Sequence, residues 1–191
     1  MACSPSTSSI FSGDAQARDT ISMPFGGFLS VFDGISAATP ELSLYLCQCP
    51  ILSSDQEIPA LLPELADDII PPAMFGADRL VQANLWMNCL ASRSNIHYDM
   101  SENVLCVVRG CKTVRLFPPI CTPHLHPRAV FSISHNHSAM SLEDMGHMGW
   151  EDSVADAPRS GRSTFSSEST HYPVVVCLHA GDALYIPEGM T

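Results

Sequence analysis

The sequence predicts a mainly β protein, and three observations support that prediction. The chain has 191 residues, of which 46% are hydrophobic and 15% are charged, a balance typical of a globular protein with a substantial core. Short β-prone runs lie between residues 81 and 117 and again between residues 173 and 186. Prolines bound these runs and interrupt residues 55–75, where each one ends or offsets a helix.

The first half of the chain is predicted to contain little regular structure before the main strands. Residues 1–20 are rich in Ser, Thr, Ala and Asp and predict a flexible N-terminal arm. Residues 24–29 regain apolar character and predict a turn that enters a short helix. Residues 41–48 alternate well enough for a strand, and residues 55–75 predict short helical turns within an ordered loop.

The rest of the chain is predicted to consist of strands and one long insertion. The strands cover residues 81–88, 103–108, 112–117, 173–178 and 183–186, with turns at residues 109–111 and 181–182. Residues 120–170 hold five of the eight histidines and show little periodicity. This segment is therefore predicted to be an insertion, partly disordered near residues 153–169.

Charge and cysteine content argue against several classes of protein. Twenty acidic against nine basic residues give a net charge of −11, which disfavours a broad nucleic-acid surface. No apolar run approaches the roughly 18 to 20 residues that span a bilayer, and the chain does not begin with a signal-peptide pattern. The eight cysteines lack C-x-x-C spacing, so free and mostly buried thiols in a cytoplasmic or nuclear compartment are predicted.

The triplet His97-Tyr98-Asp99 is the main candidate for a metal site. In a strand the side-chain period is two, so His97 and Asp99 share one face while Tyr98 points to the other. One imidazole and one carboxylate are two of the three ligands of a 2-His-1-carboxylate iron site, which keeps positions open for other ligands. The alternative is a core histidine that hydrogen-bonds to Asp99 and binds no metal.

The central part of the chain resembles the JmjC, or cupin-like, branch of the Fe(II)/2-oxoglutarate-dependent dioxygenases. The matching motifs, in order, are Asn84-Leu85-Trp86-Met87, His97-Tyr98-Asp99, Asn103, Arg109-Gly110-Cys111-Lys112, Leu116-Phe117-Pro118-Pro119 and the closing segment 181–189. Tyr45-Leu46-Cys47-Gln48 also resembles a strand upstream in hydroxylase-type members. The similarity runs from about residue 20 to residue 189 and is weak across residues 120–170.

The resemblance implies a double-stranded β-helix, or jelly roll, with short flanking helices. The domain would cover residues 21–191, with the insertion at residues 120–170. The resemblance also implies Fe(II) as the metal and 2-oxoglutarate as the co-substrate. His97 and Asp99 would then be the first two iron ligands.

The same resemblance assigns co-substrate binding to Lys112, Ser94, Asn103 and Tyr45. Lys112 is the only lysine in the chain and follows His97 by fifteen positions, which matches the family lysine that pairs with the distal carboxylate of 2-oxoglutarate. A cation is needed there because an unpaired buried carboxylate is very costly. The alternatives are a solvated turn lysine at position 112 and ordinary turn residues at Ser94 and Asn103.

The end of the chain departs from the family pattern. After residues 186–189 the family continues with aromatic residues and the histidine that completes the iron site, whereas this chain reads Met190-Thr191. We therefore expect an incomplete jelly roll, a C-terminally truncated form of the domain. The other histidines, including the His-x-His pairs at residues 124–126 and 135–137, are expected to be solvent-exposed loop residues or incidental metal binders.

Two functions follow from this resemblance. The first is an oxygenase that uses Fe(II), 2-oxoglutarate and O2 to hydroxylate a protein or an RNA-associated substrate, with succinate and CO2 as by-products. Lysine demethylation is the less favoured variant. The second is a non-catalytic binding or regulatory module, which the missing histidine favours. A small-molecule cupin is disfavoured because such proteins commonly use more histidines in the first motif. A protein substrate or partner is expected for either function; the sequence carries no strong nucleic-acid signal and predicts no membrane association, and it leaves the oligomeric state open.

Overall fold

The fold is mainly β, as the sequence predicts. The computed structural model describes residues 9–11, 21–38, 44–72, 79–89, 92–140 and 173–190. Within these ranges there are eight strands and one α-helix. The chain divides into two compact units, one built mainly from residues 20–92 and the other mainly from residues 93–191. None of the helices in the described ranges is long and apolar enough to cross a membrane.

The first unit opens with a helix that is longer than the sequence predicts. Helix α1 spans Phe25–Ala38, and the amide of Phe28 donates to the carbonyl of Pro24 at its start. No proline interrupts these fourteen residues, so the helix continues well past residue 29. Phe28 is buried, and its ring lies 6.1 Å from that of Phe25 and 5.5 Å from that of Phe32.

An irregular hairpin follows the helix in the first unit. Strand β2 spans Tyr45–Ser53 and pairs antiparallel with strand β3, Gln82–Asn88. The register shifts twice, between Leu46 and Cys49, where Gln48 has a φ of +49°, and between Pro50 and Leu52, next to a proline that has no amide hydrogen to give to the ladder. The predicted strand at residues 41–48 therefore lies further along the chain, with residues 41–43 outside the described ranges.

The proline-rich stretch of this unit forms the helical turns that its sequence predicts. A 3₁₀ helix spans Pro63–Asp68. The amides of Leu61 and Leu62 both donate to the carbonyl of Pro50, which joins this stretch to strand β2. Pro50 therefore has no amide hydrogen to donate, but its carbonyl oxygen accepts two hydrogen bonds.

The second unit contains a folded antiparallel ribbon. Strands β5 (Asn103–Cys106) and β6 (Cys111–Leu116) follow each other in sequence but do not pair. Instead β5 pairs with β8 (Ala183–Ile186), and β6 pairs with β7 (Val174–His179). Predicted strands at residues 103–108, 112–117, 173–178 and 183–186 are confirmed, with boundaries moved by two residues or fewer.

Hydrogen bonds at the bend join the two strand pairs into one ribbon. The amide of Val107 donates to the carbonyl of Asp182, and the amide of Gly181 donates to the carbonyl of Val107. Gly110 and Gly181, one on each side of the bend, have φ angles of +87° and +96°. Positive φ angles of this size favour glycine, which explains why a glycine stands in each of the two predicted turns. At these turns the chain passes from the β5–β8 pair to the β6–β7 pair, as in a jelly roll.

Register divides the β6–β7 pair into an apolar face and a mixed face. Directly opposite residues share a face, and successive residues alternate. One face carries Lys112, Val114 and Leu116, opposite Leu178, Val176 and Val174 respectively. Leu116 and Leu178 are buried, so this is the core-facing side of the pair. On β5–β8, Asn103 and Leu105 likewise share a face with Ile186 and Leu184.

Residues 120–140 form an ordered loop that begins with a short helix. A 3₁₀ helix at Pro119–His124 packs Cys121 against Phe117 and Leu125, and these three residues form a buried cluster with Ile96 beside it. The following residues fold back as a hairpin-like loop. The first part of the predicted insertion is thus an ordered loop, and residues 141–172, including the predicted disorder near residues 153–169, lie outside the described ranges.

Two further predictions need correction. Part of the predicted flexible arm forms strand β1, Ser9–Phe11, which pairs with strand β4, Ser92–Ser94, while the rest of the arm lies outside the described ranges. Six cysteines in the described ranges form no disulfide, as predicted, but only Cys49 and Cys121 of these are buried. Cys111 is disulfide-bonded, so the prediction of free thiols is wrong at that position.

Candidate metal and co-substrate site

A short hydrogen bond orients the half-buried His97 ring. Its Nδ1 lies 2.7 Å from the backbone carbonyl oxygen of Asn95. A carbonyl oxygen can only accept, so Nδ1 is the donor, and in the neutral ring Nε2 is then the nitrogen with the lone pair. This is the arrangement of metal-binding histidines, whose second nitrogen commonly donates to a carbonyl or a carboxylate.

Asn103 holds the carboxylate of Asp99. Its Nδ2 donates to Oδ2 of Asp99 over 2.9 Å, at an exposed position. The other carboxylate oxygen, Oδ1, accepts no hydrogen bond from the described residues. Asn103 is thus placed beside a candidate metal ligand, whereas the resemblance assigns it to the co-substrate. One polar side chain at this position can serve both roles, and its observed contact is to Asp99.

Residues 134–138 hold the backbone of the His97 triplet. The amide of Tyr98 donates to the carbonyl of Asn136, and the Asn136 side-chain Nδ2 donates to the carbonyl of Tyr98, both over 3.0 Å. The amide of Ser138 donates to the carbonyl of Ile96 over 2.9 Å. The triplet is therefore an extended segment with an irregular partner, and only His97 forms a β-bridge, with His137.

His137 lies against His97 but does not share a metal with it in this arrangement. The two ring centroids are 5.1 Å apart and the ring planes are inclined by 16°. A metal bound to an imidazole nitrogen lies near the ring plane, about 2 Å from the nitrogen. Planes so nearly parallel do not meet that close to both rings. In keeping with this, the described residues contain no group of three His, Cys, Asp or Glu side chains able to hold a metal.

Lys112 occupies the apolar face of the β6–β7 pair, directly opposite Leu178. The side chain is exposed, yet the surrounding protein displaces enough water to lower the pKa of its ammonium group. A cation beside Val114 and Val176 has no counter-charge on that face of the pair. Such a position suits a lysine whose partner is an anionic ligand.

Ser94 and Tyr45 lie on other elements. Ser94 is exposed at the end of β4, three residues before His97. Tyr45 lies in the first unit, at the start of β2, where its ring is 5.9 Å from that of Trp86. Burial, with a smaller contribution from Cys47, raises the pKa of Tyr45 to about 12, so its hydroxyl stays protonated at neutral pH.

The sequence gives little sign of the parts played by Asn136 and His137. His137 belongs to a visible His-x-His pair, but the pair lies in a segment without periodicity, so exposure is the natural expectation. The structure instead makes His137 half-buried. The contact partner of Asn136 lies 38 residues away along the chain. No local pattern reveals a contact of that kind.

The folded ribbon defines a jelly-roll protein. Its candidate metal ligands are His97 and Asp99, and its candidate anion-binding residue is Lys112. A family model described as a cupin-like domain matches residues 8–190, nearly the whole chain. The proteins similar to the chain include three with JmjC in their names. The chain belongs to the cupin-like, JmjC-domain family.

Three relatives illustrate the similarity. Lysine-specific demethylase JMJ31 of Arabidopsis thaliana is 34% identical over 203 residues, covering 96% of this chain and 35% of the relative. Bifunctional peptidase and (3S)-lysyl hydroxylase JMJD7 of Homo sapiens is 28% identical, covering 86% and 52%. JmjC domain-containing protein E of Dictyostelium discoideum is 29% identical, covering 75% and 45%. The chain thus spans about a third to a half of the length of these relatives.

Proposed function

We propose that this chain belongs to an Fe(II)- and 2-oxoglutarate-dependent oxygenase that modifies a protein, and that it supplies residues of the iron and co-substrate site. His97 and Asp99 would hold the iron, and Lys112 would bind the distal carboxylate of 2-oxoglutarate. The compartment proposed is the cytoplasm or the nucleus. The family membership supports the class of reaction. The separate contacts of His97 and Asp99, and the position of Lys112 on the apolar face of β6–β7, support the assignment of roles.

The observation that carries the proposal is the state of the two candidate ligands. His97 donates from Nδ1 to the carbonyl of Asn95, and Asp99 accepts from Asn103. Each side chain is thus oriented by one atom and keeps a second atom, Nε2 or Oδ1, for a metal. These residues fit two positions of a 2-His-1-carboxylate set. A third donor would have to come from outside the residues described.

The chemistry divides between the bound group and the protein. When bound, Fe(II) supplies the oxygen chemistry for which such sites keep open positions. The chain's own part is to bind and orient. The Lys112 ammonium supplies the charge that a dianionic co-substrate needs on an otherwise apolar face. Asn103 limits the rotation of the Asp99 carboxylate, and residues 134–138 hold the backbone of the triplet.

The relatives support a protein substrate. One carries the name lysine-specific demethylase and another the name lysyl hydroxylase, and both names refer to lysine. A lysine-containing protein segment is therefore the proposed substrate class, with hydroxylation as the proposed outcome and demethylation as its variant. The net charge of −11 also suits a basic substrate segment better than RNA.

Anaerobic calorimetric titration of Fe(II) into the 191-residue chain, with 2-oxoglutarate present, tests the proposal. We expect stoichiometric binding that requires the co-substrate. His97→Ala should weaken Fe(II) binding by about tenfold or more. Loss of a residue that only supports a metal ligand already weakens metal binding by about tenfold, and His97 is proposed as a ligand itself. His126→Asn is the matched control: His126 is exposed with a φ of +46°, which asparagine tolerates.

Succinate release on exposure to O2 extends the same experiment to turnover. Wild-type chain should release succinate above the level of the His97→Ala variant. If the wild-type chain binds Fe(II) no better than His97→Ala, the assignment of His97 is wrong. Equal losses in His97→Ala and His126→Asn would point to nonspecific binding by surface histidines.

One observation favours a second function, a non-catalytic binding module. The described residues do not assemble three metal donors, although Lys112 and its apolar face are in place. Such a module would bind 2-oxoglutarate or a partner protein without turnover. It would show co-substrate binding that depends on Lys112, with neither stoichiometric Fe(II) uptake nor succinate release.

A further inference from the structure

Arg115 is a half-buried cation without a partner among the described residues. It lies near the end of strand β6, and its Nε is shielded from water without a hydrogen bond. The rest of its guanidinium group likewise forms no hydrogen bond or ion pair with the described part of the chain. Arginine keeps its charge in proteins, so this position removes water from a cation and supplies nothing in return. A shielded polar group of this kind calls for a bound ion, water molecule or ligand.

The register of the β6–β7 pair shows which side chains surround Arg115. Arg115 is directly opposite Val175, and the next pair on the same face is Thr113 opposite Cys177. Cβ atoms of directly opposite residues lie about 4.5–5.5 Å apart, and diagonal neighbours lie about 7–8 Å apart, still within reach of long side chains. Val175 is therefore positioned to cover the aliphatic stem of Arg115. Thr113 and Cys177 lie within reach of its guanidinium end.

The face that carries Arg115 is open to solvent at the neighbouring pair. Thr113 and Cys177 are both exposed, and their hydroxyl and thiol groups can donate hydrogen bonds. Neither strand of the pair contains an Asp or Glu residue. The carboxylate of Asp182 lies at the far end of the pair, where it accepts from the amide of His179, about 13 Å along the strand from the residue opposite Arg115. The two strands thus supply a cation and hydrogen-bond donors but no counter-charge.

This face is distinct from the one proposed for the co-substrate. Successive residues of a strand point to opposite faces, so Arg115 and Thr113 face away from Lys112. Lys112 belongs to the core-facing side of the pair, where Leu116 and Leu178 are buried. An anion held by Arg115 is therefore not the distal carboxylate of a 2-oxoglutarate molecule bound at Lys112. A site at Arg115 is a second site, and it does not rest on the proposed function.

We propose that Arg115 and Thr113 form a binding site for a small oxyanion, a phosphate or a carboxylate group, on the solvent side of the β6–β7 pair. A guanidinium group presents N–H donors in a planar fork that matches two oxygens of such a group. The hydroxyl of Thr113 can donate to a further oxygen, and Cys177 lies at the edge of the site. The bound anion supplies the counter-charge that the two strands lack. One guanidinium group suits one anionic group, whereas a nucleic acid requires many such contacts, which a net charge of −11 disfavours.

Proton–nitrogen NMR of the arginine side chains tests this site in the full chain. Sodium phosphate and sodium acetate are titrated separately, with sodium chloride added to keep the ionic strength constant. We expect the Nε–Hε signal of Arg115 and the backbone amides of Thr113 and Cys177 to shift and saturate, and the anion that causes the shift names the ligand class. The signal of Arg109, which lies in the exposed turn, should stay in place. Equal shifts at Arg109, or no saturable shift with either anion, would overturn the proposal.

Arg115→Met removes the guanidinium group and keeps an aliphatic stem. The anion affinity, followed at the amides of Thr113 and Cys177, should fall by about tenfold or more, the usual loss for a hydrogen bond to a charged group. In chloride alone this variant should melt at or above the wild-type temperature, because it no longer removes water from a charge. Arg109→Met is the matched control and should change neither quantity. A lower melting temperature of Arg115→Met in chloride would mean that Arg115 has a partner within the chain, and the proposal would be wrong.

Lys112→Met separates this site from the proposed co-substrate site. The anion response at Arg115 in this variant should equal that of the wild type, because Lys112 lies on the other face of the pair. Loss of the response would assign the anion to the co-substrate site and would reject a second site. A failed iron titration leaves the expected response at Arg115 unchanged, so the two proposals can fail separately.

Discussion

At the scale of single residues, Lys112 shows a conflict between stability and binding. Its side chain shares a face with Val114 and Leu178, and desolvation lowers the pKa of its ammonium. A lowered lysine pKa means that the folded chain binds this proton less tightly than the unfolded chain. At neutral pH, well below the ordinary lysine pKa, the charge therefore opposes folding, and this penalty fades only as the pH rises towards that value.

Replacing Lys112 with methionine should therefore raise stability while it removes binding. We expect Lys112→Met to melt at a higher temperature at pH 7, because a methionine suits the apolar face of β6–β7. Affinity for 2-oxoglutarate should fall by about tenfold or more, the usual loss for a hydrogen bond to a charged group. Arg109→Met, in the exposed turn, is the control that should change neither quantity. Unchanged affinity in Lys112→Met would remove this residue from the site.

Asn136 is a positioning residue whose effect should appear in metal affinity. Asn136→Ala removes the side-chain bond to the carbonyl of Tyr98 and the contact with Nδ1 of His137. We expect a stability loss of about 1 kcal/mol and a roughly tenfold loss of Co(II) affinity, because the triplet loses its support. Asn88→Ala removes a comparable amide bond in the first unit and should leave Co(II) affinity as it is. Parallel Co(II) titrations and urea denaturations separate the two effects.

At the scale of elements, the bend of the ribbon depends on the backbone of its turns. Gly181 has a φ of +96°, and its amide donates to Val107 across the bend. Asp182 follows with a carboxylate that accepts from the amide of His179. The turn thus combines a glycine with a positive φ, Gly181, and a carboxylate that accepts a backbone hydrogen bond, that of Asp182. Together they direct β7 and β8 to different partner strands.

Gly181→Ala should weaken the ribbon through conformation alone. A Cβ added at Gly181 meets no atom within 4 Å, so the cost is the left-handed backbone, about 1–2 kcal/mol of unfolding free energy. Gly34, within helix α1, also has open space around an added Cβ. Gly34→Ala should therefore act in the opposite direction, by up to about 1 kcal/mol. Urea denaturation of both variants checks the signs; a neutral Gly181→Ala would mean that the turn relaxes.

At the scale of the whole molecule, local sequence patterns predicted the strands of the ribbon. They did not predict the hairpin of residues 127–138, which contacts the His97-Tyr98-Asp99 triplet. The strands between Asn103 and Leu116 and between Val174 and Ile186 are short β-prone runs bounded by nearby Gly or Pro residues, so their sequence is enough to locate them. Helix α1 is longer than predicted. Its glycines and serines are poor helix formers and therefore predict a short helix, but no proline ends the helix before Ala38. The hairpin at residues 127–138 has no period, and contacts with distant residues hold it.

The candidate site divides in the same way. His97, Asp99 and Lys112 could be selected from residue type, spacing and resemblance to a family. The contact between Asn103 and Asp99 depends on side-chain geometry, which spacing alone does not fix. The rings of His137 and His97, 40 positions apart in the sequence, stack on each other. The two residues also form an isolated β-bridge outside any strand, so no strand pattern in the sequence predicts the contact. Long-range contacts of single residues are the part that sequence reasoning misses.

The folded ribbon has a consequence for how the chain is made. Strands β5 and β6 leave the ribosome well before β7 and β8, their only strand partners in the described ranges, because residues 117–173 come between them. Closing so long a connection costs chain entropy before any pairing rewards it, and such topologies fold slowly. Until residue 186 is translated, β5 and β6 in the nascent chain lack these partner strands. Those open edges are where a chaperone would be needed during synthesis.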